Sequence, residues 1–395
     1  MVFGVRSSVI SNYVQNEVTY VYALLAVVYA IIAIPLSVII YNGVGRFNIR
    51  KHFDNYLSAA THVTKYHKNE KVFFLCMTAV SVFVVLYLSY YNAPLFMFLT
   101  GRIDRVLISR IEYSRFFQGS SVIKNVIGQS LVPLVSYITF GYYMTTKQRY
   151  WRNIFFVNLM CSIFISGAEM SKAGIAFYFI PFIFLIVILK GKIPVRNIFK
   201  YILIIGSSVV LMYSVYYAST GWSIREIILN FYGGPIGRIL IGQIQSFPTF
   251  LEIFPDSHQF LFGKSIAVLR FLGLPFIESA RIVAMHIEPA GVNAGWVGVA
   301  NTIFLGDAYA NFGLVGILIS PFWLGLVYSF FYRRMLSSPK TPVLIGFYVF
   351  VLNNLTVSST GGFFSAYVVN TRVIAAILFL LMFNLTTKIR VKGGL

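Results

Sequence analysis

Charge is what this chain has least of. Only 11% of its 395 residues are charged, and just 12 are acidic. An ordinary soluble domain carries about 25% charge. With 58% hydrophobic residues and a mean hydropathy of +0.77, the soluble globular class is excluded. Cysteine is nearly missing too. Cys76 and Cys161 both lie inside apolar runs, which excludes a disulfide framework and a thiolate metal site. His52, His62 and His67 share one polar loop without acidic or cysteine partners at metal spacing, and read as solvated. There is no phosphate-binding glycine loop, HExxH motif or nucleophile elbow. No small-residue cleavage site follows the first apolar run, which is too long for a signal segment. No internal repeat of the transporter kind is visible.

What is present is a series of continuous apolar runs. Several reach the roughly 20 residues that a helix needs to cross hydrocarbon. Lipid demands that backbone groups be satisfied internally, and continuous runs favour helices over a barrel's alternating segments. The expected fold is an all-α polytopic membrane protein, one integral domain over 1–395. It has about nine transmembrane helices, roughly 9–11. The runs lie near 20–42, 73–91, 125–146, 153–168, 173–190, 201–220, 308–331, 342–359 and 366–386.

The net charge of +20 raises the question of nucleic acid, and its distribution answers it. The loops on one side hold 19 of the 32 basic residues, from Arg46 to Lys392, against only Asp54 and Glu70. Basic excess in short loops marks the cytoplasmic side. The charge therefore encodes topology, and no nucleic-acid partner is expected. The N-terminus is placed outside and the C-terminus inside. The segment 92–124 is external, although it carries Arg102, Arg105, Arg110, Arg115 and Lys124.

The long connection from about Trp222 to Phe312 is external and forms the large loop, 221–307. Through Glu288 it holds five basic residues and five acids. Its grammar predicts short amphipathic helices. One runs from Gly233-Gly234-Pro235 through Ile236, Leu240, Ile244 and Phe247 until Pro248 stops it. A second spans Phe262 to Leu272, and a third Phe276 to Ile287. Arg238 stands in a first turn, near exposed backbone donors and the positive end of the helix dipole. Arg238, Arg270 and Arg281 are the candidate ligands for phosphate or pyrophosphate, because guanidinium is a planar, permanently charged donor fork. Each has a blander reading as the partner of a local carboxylate, Glu278 in the case of Arg281.

His286 and Asp307 are the candidates for a proton acceptor, with Glu288 and His258 behind them. A packed surface histidine and a capping aspartate are the alternatives. Tyr309, with Trp222, Tyr232 and Trp296, either stacks on sugar rings or belongs to the interfacial aromatic belt. Residues 100–118 read as an interfacial helix; in the sharper reading Arg110 or Arg115 holds an anionic lipid head group. In the hairpin Gly167–Gly174, Glu169 and Lys172 either pair across one helical turn or Lys172 meets substrate. No metal site and no cofactor is expected.

Four stretches of this plan resemble the O-antigen polymerases, bacterial enzymes that join lipid-linked oligosaccharide repeats. They are the hairpin SGAEMSKAG, the loop opening FYGGPIGRIL, GWVGVANTIFLGDAYANFGLVG running into the next span, and SSTGGFFSAYV before the last one. The likeness covers roughly residues 100–390 by layout. An arginine-to-glycine spacing described for some members is not met: Thr249, Arg281 and Val292 stand at the corresponding places. The resemblance implies a helical glycosyltransferase of the lipid-phosphosugar-using type in the bacterial inner membrane, its large loop periplasmic. It implies transfer of a growing glycan from undecaprenyl pyrophosphate to the terminal hydroxyl of a new lipid-linked repeat. It also implies membrane lipid and a chain-length-regulating co-polymerase as partners. Arg238 and Arg281, with Arg270 in reserve, would hold pyrophosphate without a metal; His286 or Asp307 would accept the hydroxyl proton. The rivals are a flippase or transporter of the same lipid-linked glycan, an O-antigen ligase, and a non-catalytic subunit of a glycan-export assembly.

Overall fold

Small residues on one side and large apolar ones on the other define the first helix. In the computed structural model α1 (Glu17–Val44) begins where the Asn16 side chain accepts the Val18 amide at 2.9 Å. Its buried stripe is Ala23, Ala26, Ala30, Ala33 and Ser37. Tyr22, Leu25, Ile32 and Ile39 point outward. That is the reverse of a soluble amphipathic helix, and it suits a lipid-facing one.

The structure describes residues 13–14, 16–63, 68–102, 106–170, 172–191, 242–295, 297–300 and 302–387, with single positions between 199 and 207. Among them every regular element is helical. After α1 come α2 (Ile49–Ser58), α3 (Lys68–Tyr90), α4 (Pro94–Leu99) and α5 (Val106–Arg115). A π-helical segment, Val122–Leu131, runs into α6 (Val132–Thr146), followed by α7 (Arg149–Gly167) and α8 (Lys172–Lys190). Beyond residue 241 lie α9 (Phe247–Ile253), a 3-10 helix (Ala267–Leu272), α10 (Ser279–Ile287) and α11 (Pro289–Asn293). The chain ends in α12 (Phe304–Ser337), α13 (Pro342–Ser358), a second π-helical segment (Phe364–Val368) and α14 (Thr371–Thr387). Among the described residues four helical stretches are long and apolar enough to cross a membrane: Glu17–Val44, Lys68–Tyr90, Phe304–Ser337 and Phe364–Thr387. α6, α7, α8 and α13 occupy four more of the apolar runs; the run 201–220 lies, apart from three single positions, outside the described residues.

The chain divides into two compact units. The first comprises 1–47, 214–330 and 355–371. Its small core is built on Phe250, Ile253, Phe254, Leu261, Val283 and Ala310. α1 joins this unit through Thr19, which donates to Glu252 at 2.8 Å. It also packs at Gly325, where a Cβ would collide with Ser37 and the Ile34 carbonyl.

The second unit comprises 48–213, 331–354 and 372–395. An aromatic cluster holds it. Tyr142 stacks on Trp151 at 4.1 Å, and both surround Phe74, with Phe379 and Phe383 against it. Buried Asn158 bridges helices by donating to Thr78 and accepting from Ser81, each at 2.8 Å. The π-helical register of Val122–Leu131 ends with the Val132 amide donating to Ile127. Pro133, which has no amide hydrogen, follows directly and interrupts the ladder.

Three local expectations are corrected. Residues 52–71 were expected as an open polar loop; α2 instead fills part of it, capped by Asn48 on the Lys51 amide. Pro248 does not stop a helix. It opens α9 from within the first turn, where its missing amide costs nothing. The span expected from residue 308 is interrupted, because α12 leaves helical geometry at Phe312 and Gly313. Gly313 has φ +58° and ψ −141°, a region open essentially to glycine. Before this break Leu305, Ala308, Ala310 and Asn311 are buried; after it Leu314, Val315, Leu318 and Ile319 are exposed. The break separates a buried polar helix start from the lipid-type run.

Candidate functional site

The first turns of α12 and the loop segments around them form one polar joint. Asp307 is 3% exposed and lies in the first turn of α12, where a carboxylate complements the helix dipole. Ser279, the first residue of α10, donates to Asp307 Oδ1 at 2.6 Å. The Phe364 amide donates to Oδ2 at 3.2 Å, placing the other oxygen at the start of the second π-helical segment. Asn311, one turn on and fully buried, donates from Nδ2 to the Asp307 carbonyl at 2.7 Å and to Ser265 Oγ at 2.8 Å. Its Oδ1 accepts the Gly263 amide at 2.9 Å. Asp307 and Asn311 thus pin three segments, around residues 263–265, 279 and 364, onto α12. The backbone reinforces them, with Leu261 and Phe262 amides on the carbonyls of Ala310 and Asn311 and the Ala300 amide on Ala280. A Cβ on Gly362 would sit 3.3 Å from Asp307 Oδ2, so the turn before Phe364 passes close over the carboxylate.

Other sequence candidates sit around this joint. Arg281 is the third residue of α10, two beyond Ser279, and is exposed. Its amide donates to the Glu278 carbonyl at 3.0 Å, within the opening turn. His286 is in the last turn of the same helix and is exposed, seven residues from Ser279, about 10 Å along the axis at 1.5 Å per residue. Tyr309 is half-buried; its hydroxyl donates to the Phe254 carbonyl at 3.0 Å and its ring meets Phe260 edge-on. Arg270 lies in the 3-10 helix, where the Ala267 amide approaches Ser365 Oγ at 3.4 Å, but the side chain of Arg270 is outside the described part of the structure. Arg238, with Trp222, Arg225, Tyr232 and Gly233-Gly234-Pro235, lies outside the described residues, as does Trp296.

Arg115 and Lys172 belong to the second unit, at the last residue of α5 and the first of α8, and their side chains too are outside the described part of the structure. The hairpin between α7 and α8 has a partner far away in sequence. Glu169 reaches Lys124, with Oε1 2.8 Å from Nζ, across 45 residues of chain. Lys124 is 5% exposed, donates to the Tyr113 carbonyl at 2.6 Å, and sits 4.1 Å from the centre of the Tyr113 ring. Burial, then the nearby Glu169 charge, pushes the Tyr113 phenol upward. Arg372 donates to Gln129 at 2.8 Å and to Asn354 at 3.3 Å, within the field of the same Glu169.

Sequence reasoning misses Ser279, Asn311, Lys124 and Arg372. Lys124 and Arg372 carry one usable signal, a cation in the opening turn of an apolar run, where hydrocarbon makes charge costly and the dipole disfavours it. Ser279 carries none. No protein-family profile, curated protein or solved structure matches the chain. What stands is a chain whose described elements are all helical, consistent with a helical membrane protein, with a polar joint at Asp307 and an exposed arginine and histidine on one short helix.

Proposed function

We propose that this chain is a polysaccharide polymerase of the bacterial inner membrane. In this reading it has about nine spans with a periplasmic loop over 221–307. The enzyme transfers a growing glycan from undecaprenyl pyrophosphate to the terminal hydroxyl of a new lipid-linked repeat. The observation that supports it best is α10: it is fixed at its N-terminus to buried Asp307 and carries Arg281 and His286, both exposed. A rigid, extramembrane helix presenting a guanidinium and an imidazole has the groups that pyrophosphate departure requires.

In the proposed step the acceptor hydroxyl oxygen attacks the anomeric carbon of the donor glycan. The anomeric carbon–oxygen bond breaks, and the lipid pyrophosphate leaves with the electron pair. Arg281, together with Arg238 and Arg270, holds the pyrophosphate and stabilises its growing charge. His286 takes the hydroxyl proton, since it is exposed and imidazole is the commonest general base at neutral pH. Asp307 is engaged through both oxygens, and its role in this reading is to position α10. Tyr309 is assigned to a substrate contact, Lys172 and Arg115 of the second unit are assigned to substrate and lipid contacts of their own, and a co-polymerase sets chain length. The purified protein, given synthetic lipid-linked repeats in a bilayer, should yield a ladder of products. A single transfer would point to a ligase instead, and no product would overturn the enzyme reading.

A specific observation keeps a flippase or transporter in view. Charges close to apolar spans are a mark of such proteins, and in the second unit Lys124 pairs with Glu169 while Arg372 lies within the field of the same carboxylate. Proteoliposomes with a fluorescent lipid-linked oligosaccharide separate the two. Translocation without elongation favours the transporter; elongation without translocation favours the polymerase.

A further inference from the structure

Between the anchored residues Ser265 and Ser279, the first unit carries an apolar stretch that fills no core. Residues 265–277 (SIAVLRFLGLPFI) hold a single charged residue, Arg270. An apolar run of about 10–14 residues is too short to span a bilayer and is either a buried core segment or an interfacial one. Burial decides between them. Ser265 is 5% exposed, but no described residue from Ile266 to Ile277 is buried, and Leu274 is 50% exposed. The stretch folds back on itself, with the Leu274 amide on the Leu269 carbonyl at 3.0 Å and the Ile277 amide on that of Lys264 at 2.9 Å.

Phe262, just ahead of this stretch, is explained neither by core packing nor by backbone preference. It is 69% exposed, and its φ of +47° lies in the left-handed region that bulky side chains avoid. Three consecutive amides hold it there: Leu261 and Phe262 on the carbonyls of Ala310 and Asn311, and Gly263 on Asn311 Oδ1. Strain kept at an exposed aromatic calls for a role outside the fold. The Phe262 ring meets Phe312 edge-on at 6.1 Å. Phe312 is 42% exposed and stands at the break in α12, directly before the exposed apolar run of Leu314, Val315 and Leu318. The apolar surface of the stretch is thus continuous with the lipid-type surface of α12. A second protein covering it would have to follow that surface past the break into hydrocarbon, whereas a bilayer covers both at once.

We infer that residues 262–277 are a membrane-inserted anchor. The segment lies in the interface of the bilayer that α12 crosses, with Phe262 and Leu274 among the acyl chains. Lys264, exposed two residues after Phe262, meets the head-group phosphates. Ser265, which accepts from Asn311 at 2.8 Å, ties the anchor to the polar joint and so holds the joint at head-group depth. The inference rests only on α12 crossing a membrane and does not depend on the transfer reaction proposed above.

The test places an environment-sensitive dye on the full chain in phosphatidylcholine liposomes. Phe262→Cys, Leu274→Cys and Glu288→Cys are labelled singly in a Cys76→Ala background, with buried Cys161 left in place. Glu288 is an exposed carboxylate between α10 and α11, and the dye there reports what the dye does by itself. Labels at 262 and 274 should be quenched by a nitroxide carried near the head-group end of the lipid acyl chain. Iodide in the water should quench them less than the label at 288, by about fivefold or more. Equal iodide quenching at all three positions puts the segment in water and overturns the anchor. Protection from iodide without nitroxide quenching means that protein covers the segment, and overturns it too. The outcome is separable from catalysis. Elongation by a protein whose segment lies in water sinks the anchor alone, whereas a lipid-buried segment without elongation leaves the anchor standing and sinks the polymerase.

Discussion

Ser279 Oγ donates to Asp307 Oδ1 over 2.6 Å, and this bond fixes the first residue of α10 to the first turn of α12. Both residues are buried, at 3% exposure each. The bond is charge-assisted and shielded from water, so it is stronger than a neutral surface one. Through it, the exposed positions further along α10 inherit a defined place.

Ser279→Ala should therefore destabilise the protein by about 1–3 kcal/mol, the cost of leaving a buried carboxylate short of a donor. Asp307→Ala should cost more, because it strands Ser279 and the Phe364 amide together. Thermal unfolding in detergent reads both. Equal midpoints for Ser279→Ala and wild type would show that the joint does not hold α10.

Arg281→Ala and His286→Ala should behave in the opposite way. Both side chains are exposed, so unfolding midpoints should move by less than about 0.5 kcal/mol equivalent. On the proposed mechanism, Arg281→Ala should lower the elongation rate by roughly 10²–10³, as for loss of one charge-stabilising donor. His286→Ala should lose about 10²–10⁴, as for a general base. Arg238→Ala should abolish long products while the protein still inserts. Normal product ladders from Arg281→Ala would reject that arginine's role.

Gly313 tests the break in α12. A Cβ there would lie 3.0 Å from Phe260 Cζ, and the backbone sits at φ +58° with ψ −141°. Asparagine tolerates ordinary left-handed helical angles but not this ψ. Gly313→Ala and Gly313→Asn should therefore both cost about 1–3 kcal/mol. Wild-type stability in the asparagine variant would mean that Gly313 occupies an ordinary left-handed turn and not this glycine-only region.

Lys340 offers a test in the second unit away from any proposed site. Its ammonium, 3% exposed, donates to the carbonyls of Leu57 and Ala59 at 2.9 and 2.8 Å, closing the end of α2. Burial lowers its pKa. Lys340→Met keeps the aliphatic length and leaves two carbonyls without this donor, so about 1–3 kcal/mol should be lost. Protease cleavage near residues 59–63 should rise at the same time, since the His62 amide also bonds to the Lys340 carbonyl. Unchanged cleavage would separate α2 from Lys340.

Much of the helical plan is readable residue by residue. Asn16 and Asn48 are local caps whose side chains reach amides two and three residues on. The small-residue stripe of α1 and the apolar runs under α3, α7 and α8 follow from composition within one helix. Pro248 reads with the wrong sign, because proline ends a preceding turn and begins a following helix equally well; the neighbours in space decide. Gly313 lies unmarked inside GDAYANFGLVG, because the ring a side chain there would meet belongs to Phe260, which is 53 residues away in sequence.

The sequence by itself determined that this chain is helical and lipid-compatible, and Asp307, Arg281 and His286 stood among its polar candidates beside Arg238, Arg270, Arg115, Lys172 and Tyr309. Hydropathy and capping act over one to five residues, so a linear reading captures them. Tertiary structure alone decided partners. It put Ser279 and the Phe364 amide on Asp307, and brought Glu169 to Lys124, 45 residues away. A buried charge takes whichever donor the fold brings within about 3 Å, and that distance is not a function of sequence separation.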